Sequence, residues 1–246
     1  MIGSTAGRFI TLEGGEGAGK STVMAVIAAA LAERGIVHEL TREPGGTPLA
    51  EAIRGLALDP HWTGVMRPET ELLLVFAARA QHVRERVLPA LEAGRWVVSD
   101  RYTDASFAYQ GGGRGQPIDR IATLEAWAAP ATPDLTFLLD VPVEQGLARA
   151  FSRGERDRME CEQAEFHERV QAGYHARVKQ DPSRFRVIDA GQSQADVAAA
   201  VKADVYENFT DVDSVYPVDP RLVPEVKAGI PVMTYREMRE LSYAGF

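Results

Sequence analysis

The sequence predicts an α/β fold in which a five-stranded parallel sheet carries helices on both faces. Short apolar runs alternate with helical patterns along the chain, and strands that alternate with helices favour a parallel sheet. Three of these runs are apolar without alternation, which is typical of strands buried on both faces. Hydrophobic residues make up 45% and charged residues 25% of the chain, as in ordinary globular domains, so most of it is expected to fold.

The predicted strands are short, apolar and bounded by turn signals or helical sequence: 8–13, 36–40, 96–99, 135–140 and 185–189. The runs at 10–12, 96–98 and 137–139 lack alternation and are therefore expected at the centre of the sheet. Ligands of such sheets bind outside the carboxyl ends of the strands. The chemistry is accordingly expected after Glu13, Leu40, Ser99 and Asp140.

Helical patterns follow the strands at 21–34, 48–57 and 162–178. The segment 68–92 is predicted to form one long helix, because apolar residues and one arginine recur on one side of it at three- and four-residue steps: Leu72, Phe76, Arg79 and Val83. A lid is expected at about 150–160.

Three parts are predicted along the chain: a flexible leader at 1–7, a main domain at 8–205 and a C-terminal extension at 206–246 of unknown role. The regular alternation stops at Tyr206, and prolines follow in a turn-rich stretch. The extension nevertheless carries more aromatic residues than a disordered linker usually does, so it is expected to pack on the main domain or on a neighbouring chain.

The composition excludes several classes of protein. Its 246 residues include 27 basic and 35 acidic side chains, and the resulting net charge of -8 provides no positive field for nucleic acid. The single cysteine, Cys161, rules out an internal disulfide and a cysteine-built metal site. No apolar stretch approaches the ~20 residues of a membrane-spanning helix, and the start lacks a secretory signal. We therefore expect a cytoplasmic protein without nucleic-acid or membrane partners.

A glycine-rich loop between the first strand and the first helix matches the G-x-x-x-x-G-K-[ST] pattern of phosphate-binding loops. Its residues are Gly14, Gly15, Glu16, Gly17, Ala18, Gly19, Lys20 and Ser21, followed by Thr22. The glycines let backbone N–H groups converge on phosphates, Lys20 can bridge the outer phosphates, and the Ser21 hydroxyl can bind Mg²⁺. The loop predicts a nucleoside triphosphate with magnesium; the alternative is a glycine-rich turn with an incidental lysine.

Polar side chains also follow the second and third strands. Asp100 is placed to hold a magnesium-bound water, and Arg101 offers a planar fork for a phosphate. The alternative for these two residues is a surface ion pair. The segment 41–46 is expected on the same rim, although its Glu-Pro-Gly-Gly part is also typical of a turn that enters a helix.

The chain closely resembles bacterial thymidylate kinases from about residue 9 to about residue 205. The resemblance is carried by five segments: 13–21, 41–47, 76–81, 100–102 and 108–115. It implies the P-loop nucleoside-monophosphate kinase fold with a helical lid. It also implies transfer of the γ-phosphoryl group of ATP to dTMP, giving ADP and dTDP for dTTP synthesis.

The resemblance assigns roles on the acceptor side. Phe76 is similar to the aromatic residue on which the thymine ring lies, and Arg79 to a donor to a thymine carbonyl. Arg101 would hold the acceptor phosphate, and Glu16 would reach the sugar hydroxyl or a metal-bound water. The remaining pocket residues implied are Pro44, Ser106, Tyr109 and Gln110. Without the resemblance, Phe76 would more often be a packing residue, and Ser106, Tyr109 and Gln110 could equally well pack the helix.

Four arginines crowd the predicted lid: Arg149, Arg153, Arg156 and Arg158. A charge run is usually a solvated face. Phosphoryl transfer, however, builds charge that a guanidinium stabilises, and the phosphate loop contains no arginine. Arg153 and Arg158 match the family pattern, whereas Arg156 is extra. We expect the lid to close over ATP and deliver Arg153, so the catalytic set is Lys20, Arg101, Arg153 and Arg158, with Arg149 binding the nucleotide.

Three other functions stay open from the residues: a P-loop ATPase switch, a kinase for a different nucleoside monophosphate, and an inactive scaffold. A switch would lack a second, nucleotide-shaped pocket. The resemblance also implies a homodimer that packs through helices near 68–92.

Overall fold

A computed structural model of the chain describes residues 7–152 and 157–209, with side chains described up to Val205. The chain divides into two units, Met1–Val205 and Tyr206–Phe246, and the first contains the whole of the described sheet. Most of the predicted leader, the lid residues Arg153 and Arg156, and the extension beyond Phe209 lie outside the described residues.

Five parallel strands form one sheet in the order β2-β3-β1-β4-β5. The strands are β1 Phe9–Glu13, β2 His38–Arg42, β3 Trp96–Asp100, β4 Leu135–Asp140 and β5 Phe185–Asp189. The three runs predicted to be central are β1, β3 and β4, and this prediction is confirmed. Every residue of β1 is buried, because helices cover both faces of the central strands.

The second strand begins two residues later than predicted. Gly35 has a φ of 69°, and the Ile36 amide still donates to the Leu31 carbonyl, so this part of the chain closes the preceding helix. The strand then continues to Arg42, which pairs with Asp100 of β3.

Nine helices lie in the described part of the chain. They are α1 Lys20–Glu33, α2 Pro48–Leu58, α3 Pro68–His82, α4 Leu88–Glu92, α5 Thr103–Ser106, α6 Ile118–Ala128, α7 Val143–Phe151, α8 Ala164–Gln180 and α9 Gln194–Phe209. A 3₁₀ turn spans Pro60–Trp62, and two π-helical segments span Val83–Val87 and Phe107–Gly113.

The prediction of one uninterrupted helix over 68–92 is wrong. The helical turns continue, but the segment Val83–Val87 between α3 and α4 is π-helical. Pro89 explains the interruption, because it has no N–H to donate and its ring crowds the preceding turn.

One glycine on each side brings the π-helical segment Phe107–Gly113 close to α8: Gly112 in the segment and Gly173 in the helix. A Cβ on Gly112 would lie 2.5 Å from the Arg169 carbonyl oxygen, and one on Gly173 would lie 2.8 Å from the Ala108 Cα. Only glycine allows the two backbones to approach so closely. This contact fixes the position of Tyr109 and Gln110, which the segment places near the carboxyl ends of the strands.

Candidate active site

A cavity of about 400 Å³ opens at the carboxyl edge of β1, β2 and β3. It is lined by loop, strand-end and helix residues that the sequence singled out: Glu16, Gly17, Ala18, Gly19, Lys20, Ser21, Pro44, Arg79, Asp100, Arg101, Ser106, Tyr109 and Gln110. The structure therefore brings the predicted donor loop and most of the predicted acceptor residues to one cavity.

The phosphate loop joins β1 to α1 and is tightly packed. Gly14, Gly17 and Gly19 have φ values of 141°, 68° and 90°, which side-chain-bearing residues rarely adopt. A Cβ on Gly17 would collide with the Gly146 carbonyl. Lys20 Nζ donates to the carbonyl oxygens of Gly14 at 3.2 Å and Gly15 at 3.1 Å. Burial and the neighbouring Arg101 lower the pKa of Lys20, so these carbonyls hold a desolvated ammonium over the loop.

Arg101 lies beside this loop in a left-handed backbone conformation with a φ of 70°. Such a conformation costs an ordinary residue about 1–2 kcal/mol and is commonest at functional sites. Its guanidinium donates to the Gly14 carbonyl at 3.1 Å, to the Tyr174 hydroxyl at 3.0 Å and to Glu16 at 2.8 Å. The guanidinium also lies 4.7 Å from the centre of the Tyr109 ring. The strained turn thus aims a cation at the phosphate loop.

Glu16 is held as an anion in the cavity wall. Its carboxylate accepts hydrogen bonds from Arg101 and from the Tyr109 hydroxyl at 2.6 Å. Burial by itself would raise the pKa of Glu16, but Arg101, Lys20 and the Tyr109 hydroxyl lower it to about 2. The loop therefore carries a fixed negative charge between its cations.

Arg79 forms part of the cavity wall and is almost completely buried. Its Nε donates to Glu43 at 2.6 Å, Nη1 donates to Ser106 at 2.8 Å and Nη2 donates to the Tyr102 carbonyl at 2.9 Å. These bonds use three of the five N–H groups of the guanidinium and fix its plane.

Phe76 is not brought to the cavity wall. Its ring packs in a core cluster with Leu72, Phe107 and Ile121, 4.6 Å from the Arg79 guanidinium. The preceding residue, Val75, lines the cavity instead, together with Leu58, Ala105 and Met159. The platform role of Phe76 stays a prediction, and the apolar contact that the geometry offers comes from Val75.

Asp100 and Ser21 fit a magnesium ion. The Oδ1 of Asp100 is buried and has no hydrogen-bond partner, while both residues line the cavity beside Lys20. Within the described ranges, no group of three His, Cys, Asp or Glu side chains could hold a metal ion. A single carboxylate and a hydroxyl suit Mg²⁺, which keeps several waters and takes its other ligands from phosphates.

The residues predicted for the lid and for nucleotide binding do not all line the main cavity. Arg153 lies outside the described residues. Arg158 is not among the residues that line the cavity; its Nη2 donates to Glu71 at 2.7 Å and its Nε to the Ala57 carbonyl at 3.0 Å. Arg149 and Thr22 line a neighbouring cavity of about 470 Å³, and Arg149 donates to the Ala190 carbonyl at 2.8 Å. Gly14 and Gly15 line a small cavity of about 30 Å³ behind the loop.

Sequence reasoning missed Arg54, which lines the main cavity from α2. Its Nη1 donates to the Pro44 carbonyl at 2.8 Å, and burial and the nearby Arg42 lower its pKa. A signal was present, because Arg54 stands four residues after Ala50 and three before Ala57, the two buried alanines of α2. An arginine on the inward face of a helix needs an anion or another polar partner.

The parallel sheet, the phosphate loop and the cation-lined cavity beside it define a P-loop kinase of the nucleoside-monophosphate type. The family model described as "Thymidylate kinase" matches residues 12–201. The chain belongs to the thymidylate kinase family.

Curated relatives agree with this assignment. The chain is 56% identical over 207 residues to the thymidylate kinase of Chromohalobacter salexigens, an alignment that covers 83% of this chain and 98% of that protein. It is also 56% identical over 200 residues to the thymidylate kinase of Alkalilimnicola ehrlichii, covering 80% and 92%. The match to the thymidylate kinase of Ectopseudomonas mendocina is 56% over 198 residues, covering 80% and 94%. No helix in the described part of the chain is long and apolar enough to cross a membrane.

Proposed function

We propose that this chain transfers the γ-phosphoryl group of ATP to dTMP, giving ADP and dTDP. One observation carries the proposal beyond family membership: the phosphate-loop residues Lys20 and Ser21 and the acceptor residues Arg79 and Tyr109 line the same cavity. Two nucleotides bound there would meet phosphate to phosphate, as direct transfer requires.

ATP binds on the donor side. The loop amides and Lys20 hold its outer phosphates, and the neighbouring cavity that Arg149 lines takes the nucleoside part. Ser21 and Asp100 hold Mg²⁺, which neutralises charge on the phosphates when it is bound.

dTMP binds on the acceptor side. Arg101 and Arg54 bind its phosphate, and Arg79 donates to the base through N–H groups that its three protein partners leave free. Glu16 accepts from the sugar hydroxyl, and Val75 contacts the base. The other contacts come from Pro44, Ser106, Tyr109 and Gln110.

The acceptor phosphate oxygen is the nucleophile, so the protein supplies position and charge rather than a covalent intermediate. A guanidinium delivered to the transferring group accelerates such reactions by about 10³–10⁵. Because Arg158 is buried against Glu71, we assign this role to Arg153 and a supporting role at the base of the lid to Arg158.

The test is ADP release measured with no acceptor and with dTMP, dUMP, dCMP or dGMP. We expect turnover that depends on dTMP and stops when EDTA removes the metal. Hydrolysis without an acceptor would favour the ATPase switch. Faster turnover with another monophosphate would favour a kinase of different specificity.

Lys20→Ala tests the donor side separately. Loss of the ammonium that bridges the phosphates should lower kcat at least about 10²-fold, the effect of removing one preorganised charge donor. Lys179→Ala, at an exposed position of α8, is the matched control and should keep wild-type kcat. Melting curves should show both variants folded. Wild-type turnover by a folded Lys20→Ala protein would contradict the donor-site assignment.

We also propose that the protein is a homodimer. Leu73 on α3 is 60% exposed and Leu49 and Leu56 on α2 are 55% and 46% exposed, so these adjoining helices offer apolar side chains for a second copy to cover. The cytoplasmic location stays a prediction.

A further inference from the structure

The loop at 41–47 is built around the imidazole of His82. Thr41 Oγ1 lies 2.7 Å from His82 Nε2, and Glu43 Oε1 lies 2.8 Å from His82 Nδ1. A Cβ on Gly46 would lie 2.5 Å from the imidazole Cδ2, so the chain wraps directly over the ring. His82 has no exposed surface, and it is not among the residues that line the main cavity.

Two buried donors, His82 and Arg79, converge on the Glu43 carboxylate in the active site. Glu43 does line the cavity, and its Oε2 accepts from Arg79 Nε at 2.6 Å. Since a carboxylate only accepts, His82 Nδ1 must donate to Oε1. Each oxygen of Glu43 therefore has its own buried donor, and neither oxygen can turn away without breaking a bond.

The Glu43 carboxylate supplies one of the three bonds that orient the Arg79 guanidinium. The Ser106 hydroxyl and the Tyr102 carbonyl hold the Nη atoms, whereas Glu43 alone among the described residues holds Nε. Without the His82 bond, Glu43 Oε1 would be a buried acceptor with no partner and would seek a new one. Once Glu43 turned to that partner, the Arg79 guanidinium would be held by two bonds instead of three, and its donors would shift relative to the acceptor base.

We propose that His82 is a positioning residue for the acceptor nucleotide, acting through Glu43 on Arg79. The proposal rests on the proposed function, in which Arg79 binds the acceptor base. His82 does not line the cavity in which the nucleotides are proposed to bind, so its loss should weaken binding of dTMP while leaving binding of ATP and the chemical step intact.

Two substitutions separate this role from simple packing. In His82→Asn the side-chain amide nitrogen takes the place of Nδ1 and still donates to Glu43. In His82→Gln the amide reaches toward Thr41 and leaves Glu43 Oε1 without its donor. A hydrogen bond to a charged group corresponds to about a 10- to 100-fold change in an equilibrium constant, which is the upper bound on what its loss can transmit to dTMP binding. His82→Gln should therefore raise KM for dTMP by more than about threefold and by up to about 100-fold. His82→Asn should restore KM to within about threefold of the wild type.

Steady-state kinetics with each substrate varied, together with calorimetric titration of dTMP and of ATP, provide the measurements. His61→Gln, at an exposed position of the 3₁₀ turn, is the control. Glu43→Gln, alone and combined with His82→Gln, checks the route: the two effects on KM should be far from additive if both act through Glu43.

Three results would overturn the proposal. A wild-type KM for dTMP in His82→Gln would remove His82 from acceptor binding. Equal losses in His82→Asn and His82→Gln, with kcat and melting temperature falling together, would reduce its role to packing. Absence of dTMP-dependent turnover in the wild-type protein would overturn the proposed function itself, and this inference with it.

Discussion

Two carboxyl groups at the end of β1 show how burial and neighbouring charges set the charge of a site. Glu13 accepts from the Tyr102 amide at 2.7 Å and from the Tyr174 hydroxyl at 2.9 Å. Burial and the charge of Asp104 raise the pKa of Glu13 from 4.5 to about 7, against the opposing effects of Arg101 and these hydrogen bonds. For Glu16, three residues later, cations outweigh burial and the pKa is about 2.

The raised pKa of Glu13 links folding stability to pH. The folded protein holds a proton on Glu13 between pH 4.5 and 7, where the unfolded chain releases it. The stability contributed by the protonated carboxyl is therefore fully present below pH 4.5 and is lost as the pH rises through 7. For Glu16 the sign is opposite, and its contribution is lost only as the pH falls from 4.5 toward 2.

We predict that Glu13→Gln removes a fall in stability between pH 5 and 8. The amide oxygen can accept from the Tyr102 amide and the amide nitrogen can donate to the Tyr174 hydroxyl, so the neutral side chain replaces the protonated carboxyl. The pKa difference corresponds to about 3 kcal/mol, at about 1.4 kcal/mol per pKa unit. Urea unfolding at pH 5, 6, 7 and 8 measures it. The exposed Glu165→Gln on α8 is the control, and equal slopes in wild type and Glu13→Gln would contradict the linkage.

At the level of elements, Glu71 joins α3 to the segment that follows α5 and to the base of the lid. This buried carboxylate accepts from Gln110 at 2.9 Å, from Arg114 at 3.0 Å and from Arg158 at 2.7 Å. The three donors are 39, 43 and 87 residues away along the chain. The Glu71 side chain thus connects Gln110, a residue of the proposed dTMP site, to Arg158 at the base of the lid.

Glu71→Ala should destabilise the protein by about 3–5 kcal/mol, because it leaves the buried Arg158 guanidinium without its anion, whereas Arg114 keeps its ion pair with Glu162. Chemical denaturation followed by circular dichroism measures the loss. Glu69→Ala, at an exposed position in the first turn of the same helix, is the control and should change stability by less than about 0.5 kcal/mol. A loss below about 1 kcal/mol for Glu71→Ala would show that the network contributes little.

The helices also show the limit of sequence reasoning about a site. Periodicity identified one side of α3 that includes Phe76, and the structure buries both Phe76 and its neighbour Val75. Adjacent residues of a helix point about 100° apart, so one faces the cavity and the other the core. Which one faces the cavity depends on how α3 is rotated against α2 and α6, and periodicity does not determine that rotation.

At the level of the whole molecule, the proposed homodimer can be tested on the exposed apolar residues of α3 and α2. Leu73→Glu would place a charge in the covered surface and should shift the protein from dimer to monomer. Light scattering coupled to size exclusion measures the mass. Val187→Glu is the control, since Val187 is 47% exposed on the edge strand β5. A wild-type protein that is monomeric at micromolar concentration would contradict the dimer.

The sequence by itself determined the five strands, the three of them that are central, the helices α1, α2, α3 and α8, and the phosphate loop. Those features depend on patterns within a few residues: unbroken apolar runs, helical periodicity and the spacing of glycines before Lys20. The boundaries of β2 and the π-helical turn after α3 needed the structure, because a preceding helix end and Pro89 shifted them.

Only the tertiary structure decided which charged side chains meet in the site. Arg54 on the cavity wall, Arg158 against Glu71 and His82 inside the 41–47 loop each depend on contacts between distant parts of the chain. The sequence shows which residues are charged. Burying a charge without a partner costs several kcal/mol of free energy, so each buried charge is paired. Its partner is the group that the packing of the sheet and helices brings within hydrogen-bond distance.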